Sequence, residues 1–155
     1  MHVKERRGTA RRDRRNDTLI QIKAVRTRIG YDSRMSQTSL IAAEAAQSLA
    51  LADAVQISPA GIVSRTLVQT PELRTVLFAF DAGQELTSHT SRRRALVQVL
   101  SGAGDFFFAG AWHRLESGAL LHLPPGHPHA VRAGAGAFTM LLTLAAEPVP
   151  LSSQP

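Results

Sequence analysis

Beyond residue 60 the chain falls into short apolar runs separated by turn residues. Residues 61–68 (GIVSRTLV) alternate loosely and are rich in β-branched side chains, 73–80 (LRTVLFAF) are almost continuously apolar, and 95–100 (ALVQVL) alternate again. Further runs follow at 105–109, which holds Phe106, Phe107 and Phe108, and at 111–115 (AWHRL), 119–123 (ALLHL), 129–133 (HAVRA) and 137–145 (AFTMLLTLA). Between them lie Thr70-Pro71-Glu72, Asp81-Ala82-Gly83, Ser101-Gly102-Ala103-Gly104, Gly110, Gly118 and Pro124-Pro125-Gly126. Runs this short, rich in β-branched and aromatic residues and bounded by Gly and Pro, predict strands. No helical period interrupts them, so residues 55–147 read as an all-β sandwich or barrel. The same ground argues against a doubly wound α/β fold, and neither a GxGxxG nor a Walker motif is present.

Ahead of the strands, residues 35–54 predict one helix. Ser36, Thr38 and Ser39 supply N-cap oxygens, and six alanines between Ala42 and Ala52 favour the helical state. Residues 1–34 read as a basic, disordered leader, with almost nothing to bury. Met35 followed by SQTSLIAAEAAQ resembles an ordinary protein start, which would place the leader outside the working protein. Residues 148–155 read as a loose tail.

Charge sharpens this division. The formal net charge is +6. Residues 1–34 carry eleven basic and four acidic side chains, and the remainder seven and eight. The high pI is therefore a property of the leader, and nucleic-acid binding is not expected of the barrel, which has one tryptophan and no basic stripe. With no cysteine there is no disulfide, thiolate site or cysteine nucleophile. No apolar run reaches the length of a membrane span and no signal-peptide core is evident, so a cytoplasmic protein is expected.

Candidate chemistry centres on histidines. His89 precedes the 95–100 run, and His129 opens the 129–133 run after a Pro-rich turn. If the barrel closes, both can meet inside it, and converging imidazoles are a common route to a divalent metal. The glycines and histidines around them resemble the cupin superfamily. Gly83, His89 and Gly102 fall at the spacing of its first motif, and Gly118, Pro124, Gly126 and His129 at that of its second. The resemblance spans roughly residues 55–147. It implies a jelly-roll β-barrel, a homodimer formed through the outer sheet, and a divalent metal (Fe, Mn, Ni or Zn) held by His89 and His129; His127, two residues before His129, is the candidate third donor. Three positions depart from the pattern: Ser91 replaces the second metal histidine, Ala95 the glutamate and Ala133 the terminal asparagine. Glu85 and His122 are the outlying substitutes, and His113 beside Trp112 reads as packing.

The rest of the interior reads as a ligand cavity. Parity puts Ala95, Val97 and Val99 on the face that carries the ligand position, with Gln98 on the other. Arg92 and Arg94, in the approach to that strand, are candidate clamps for an anionic ligand group. The expected function is small-molecule binding, with Val97 and Val99 in contact with the ligand and enzymatic activity left open. Two alternatives compete: a metal-dependent dioxygenase or isomerase working from His89 and His129, and a scaffold whose basic leader binds nucleic acid or a protein partner. No G-x-S-x-G elbow or paired acids offer another chemistry.

Overall fold

A computed structural model describes residues 39–147. The leader and the C-terminal tail lie outside those residues, as does the start of the expected helix. Within the described residues nine strands follow one helical turn, α1 (Leu51–Ala54): β1 (Ile62–Gln69), β2 (Leu73–Phe80), β3 (Glu85–His89), β4 (Arg94–Ser101), β5 (Ala103–Phe108), β6 (Ala111–Glu116), β7 (Leu120–Leu123), β8 (His129–Ala133) and β9 (Phe138–Ala145). They form a five-stranded sheet ordered β1-β2-β9-β4-β7 and a four-stranded sheet ordered β3-β8-β5-β6, all neighbours antiparallel. Two antiparallel sheets face to face in this order make the expected jelly roll.

Period-2 alternation places the core between the sheets. From the five-stranded sheet come Val76, Phe78 and Phe80, then Ala95, Val97 and Val99; the other sheet adds Leu86, Phe106, Val131 and Ala133. At one end of the barrel Phe80 and Phe138 stack with ring centroids 4.6 Å apart, both 0% exposed. The edge of the Phe138 ring meets Phe106 at 6.0 Å. Gly104 lets this ring lie against the backbone, since a Cβ there would come within 2.7 Å of it.

Two elements depart from the sequence expectation. The helix shrinks to Leu51–Ala54, and residues 39–50 are irregular. Alanine propensity alone does not hold a short helix in water, where an apolar face must pack, and residues 42–50 are exposed throughout. Leu40 and Ile41 instead donate backbone hydrogen bonds to the Thr66 and Leu67 carbonyls, capping part of the β1 edge. The second departure is β3, an additional strand where the apolar signal is weakest, with Leu86 its one buried side chain.

On the outer face of the five-stranded sheet Leu96 is 41% and Leu120 67% exposed. No helix among the described residues is long and apolar enough to cross a membrane.

Candidate functional site

The site lies where β3 meets β8. The register runs Glu85 opposite Arg132 and Leu86 opposite Val131, then jumps to His89 opposite His129. Two β3 residues, Thr87 and Ser88, thus answer one β8 residue, and the strand carries a β-bulge. The bulge reverses the phase of β3. Without it, Ser88 would share the inward face with Leu86; with it, His89 does. The two imidazoles end with ring centroids 4.3 Å apart, inclined by 59°.

Backbone carbonyls orient both rings. His89 Nδ1 lies 2.8 Å from the Thr87 carbonyl oxygen, beside the bulge, and His129 Nδ1 lies 2.8 Å from that of His127. The loops carrying the two histidines are joined directly, since Gly126 donates its N–H to the Ser91 carbonyl at 2.7 Å. Inward from the rings runs a cavity of about 40 Å³, lined by His89, His129 and eleven apolar side chains, among them Phe78, Val97, Leu123 and Met140. The Phe80–Phe138 layer is not part of its lining.

Known proteins share this fold. The profile of the AraC-like ligand binding domain family matches residues 75–149. No curated protein matches the chain. A conserved protein of unknown function from Streptococcus pyogenes is 35% identical, with 75% of this chain and 99% of that one covered and a TM-score of 0.63. An RmlC-like cupin from Desulfovibrio desulfuricans is 32% identical over 65% of this chain and 97% of its own, with a TM-score of 0.59. The chain belongs to the cupin superfamily. A cupin from Desulfitobacterium hafniense, 25% identical over 65% of this chain and 92% of its own, aligns with a TM-score of 0.60.

As a metal centre this cupin is incomplete. Each histidine has the supporting bond common in metal ligands, a ring N–H held by a carbonyl. A catalytic zinc site needs three protein ligands, and an iron facial triad needs a carboxylate. Among the described residues no three His, Asp or Glu side chains are grouped to hold an ion. His127 meets His129 through its carbonyl, and its ring does not line the cavity. Glu85 sits at the far end of β3, opposite Arg132, and His122 is exposed on the outer face of β7. Ala95 and Ala133, at the positions of the family's glutamate and asparagine, are buried apolar core. The residues present do not fit a three-ligand centre.

The expected ligand contacts divide. Val97 lines the cavity, whereas Val99 is buried in the core outside that lining. None of the three arginines lines it. Arg94 lies on the outer face, where its Nε pairs with Glu147 at 3.2 Å and its NH1 donates to His122 Nε2 at 2.8 Å. The parity that sends Val97 inward sends Arg94 outward. Arg93 donates to the Pro71 carbonyl at 3.3 Å, and Arg92 is exposed. An arginine clamp is thus not part of the cavity. His113 stacks on Phe108 at 4.1 Å, as packing requires. The sequence reading misses Leu86, Leu123 and Met140 as cavity wall, although their inward parity carries the signal.

Burial holds the His129 pKa below its usual value. The bond to the His127 carbonyl opposes this, and the neighbouring His89 and His127 reinforce it. The unfolded chain therefore binds a proton here more readily than the folded one, so stability rises with pH across this window. The His129 contribution is fully present above the unfolded value and is lost as pH falls through the folded one. Urea midpoints at about pH 8 and pH 5 should fall further in the wild type than in His129→Gln. An equal or larger fall in the variant would contradict the assignment.

Proposed function

We propose that this cupin is a small-molecule binding barrel, with the ligand seated in the cavity behind His89 and His129. The observation that carries this reading is the lining itself: a pocket of eleven apolar side chains opening on just two polar groups. Ligand sites are characteristically apolar with a few placed polar groups. The match to a ligand-binding family over residues 75–149 supports it. A metal-dependent dioxygenase or isomerase asks the site for a third donor that the described residues do not supply. The scaffold reading rests on the leader, outside the described residues. The cytoplasmic location belongs to this proposal as well.

A thermal-shift screen of small apolar and amphipathic compounds tests the reading. A ligand at about one hundred times its Kd should add about 2.7 kcal/mol to stability. Val97→Phe, which pushes a ring into the cavity, should abolish the shift while the protein stays folded. A ligand that stabilises both proteins equally would place binding elsewhere.

A homodimer through the outer face of the five-stranded sheet is part of the same proposal. Leu96 and Leu120 support it, since they are diagonal neighbours across the β4–β7 pair and both exposed. Light scattering should give a dimer for the wild type and a monomer for Leu120→Lys. A dimer that survives the lysine would remove this face from the interface.

A further inference from the structure

Resting on that reading, the geometry of the two imidazoles goes further and specifies what the ligand must carry. A carbonyl oxygen accepts hydrogen bonds and cannot donate them. The 2.8 Å contacts to the Thr87 and His127 carbonyls therefore place a hydrogen on both Nδ1 atoms. In a neutral imidazole the remaining nitrogen, Nε2, is then an acceptor. Two rings 4.3 Å apart thus present two acceptors that cannot bond to each other. Every other residue lining the cavity is apolar, so nothing in its wall donates to them. The groups that would invite an anion are turned away: Arg94 is engaged with Glu147 and His122, and none of the three arginines lines the cavity.

We infer that the barrel recognises a small apolar molecule bearing a hydrogen-bond donor, an alcohol, phenol or amine, whose O–H or N–H is received by Nε2 of His89 or of His129 while its carbon skeleton enters the mouth of the cavity. A carboxylate or phosphate is disfavoured, because it would set lone pairs against lone pairs. A sugar is disfavoured too, because its outlying hydroxyls would meet apolar wall without partners. An ether or hydrocarbon of the same shape makes the same apolar contacts and leaves both acceptors unmet.

The test uses the full chain at about pH 8, above the ordinary range of histidine titration, and two probe skeletons. The phenyl set is phenol, anisole and benzoate; the isobutyl set is isobutanol, isobutyl methyl ether and isovalerate. Binding is followed by NMR through the His89 and His129 ring protons and the methyls of Val97 and Met140. The hydroxyl member of at least one set should bind about tenfold or more tighter than its ether and its carboxylate. His89→Phe and His129→Phe should collapse that preference towards unity, and the wild-type ranking stands as a test even if a variant fails to fold. An ether equal to its alcohol, or a carboxylate as the tightest member, would overturn the inference; if Val97→Phe still blocked that binding, the small-molecule reading would survive. Silence from all six probes also overturns the inference, whereas the broader reading falls only if the compound screen is empty as well. A divalent metal is the competing claimant for two Nε2 lone pairs. Near-stoichiometric metal in tag-free protein, lost in His89→Ala, would overturn the inference in its favour.

Discussion

Phe138→Ala is expected to cost about 3–5 kcal/mol, the range for a large aromatic removed from a packed core. The side chain is 0% exposed, stacks on Phe80 and meets Phe106 edge-on. Its neighbours cannot close the gap cheaply. On one side stand Gly102 and Gly104, which have no side chains to move in; on the other, Phe80 is held in register within β2. A domain of this size typically has about 5–15 kcal/mol in hand, so the variant should sit close to the unfolding threshold at room temperature. Urea denaturation checks this, with the midpoint falling and the slope unchanged if both states keep their compactness. A loss below about 1 kcal/mol, within the scatter of ordinary substitutions, would mean that the aromatic layer is not the structural floor of the barrel.

The second large effect is expected at Gly102, and a neighbouring position isolates its cause. Its φ is +68°, and an added Cβ would run into the Ala137 carbonyl oxygen and lie 3.0 Å from Phe138 Cβ. Gly102→Ala therefore combines left-handed strain with a clash against backbone. Each contributes about 1–3 kcal/mol, for a total of about 2–5 kcal/mol. Gly83 has nearly the same φ, +73°, and a Cβ added there would meet nothing within 4 Å. Gly83→Ala should thus cost the strain alone, about 1–2 kcal/mol. The difference between the two midpoints measures the clash. Equal losses would show that the Gly102–Phe138 approach relaxes freely and that the glycine serves its turn only.

Both predictions concern the closed end of the barrel, yet they bear on the site. The aromatic layer sits on the β2–β9 ladder and the histidine pair on the β3–β8 ladder of the facing sheet, but β9 contributes Phe138 to the layer and Met140 to the cavity wall. A variant that loosens the layer and remains folded should therefore also weaken ligand binding. The outward Arg94–Glu147–His122 cluster stands apart from this arrangement. It ties β4, β7 and the chain beyond β9 together on the solvent side, where exposed ion pairs contribute little, about 0–1 kcal/mol.

The architecture is legible from the residues alone. Alternating runs with Gly and Pro between them specify antiparallel strands, and the inward parity of Ala95, Val97 and Val99 holds because side chains on a strand change face at every residue. The motif spacing also suffices to pair His89 with His129, and the replacements at Ser91, Ala95 and Ala133 are legible as missing metal donors. Other features belong to the folded chain. The alanine-rich segment scores as helix because propensity is local, whereas a short helix is held by packing that the fold does not offer it. Arg94 reads as a ligand clamp from its place near the histidines, but strand parity carries it to the outer face. The bulge at Thr87 and Ser88 matters most for the site. A register jump is a property of two strands together, set by how β3 must bend to stay paired with β8, so no single-strand pattern contains it. That one extra residue turns His89 inward beside Leu86, and the carbonyls of Thr87 and His127 then decide which nitrogen of each ring carries the hydrogen.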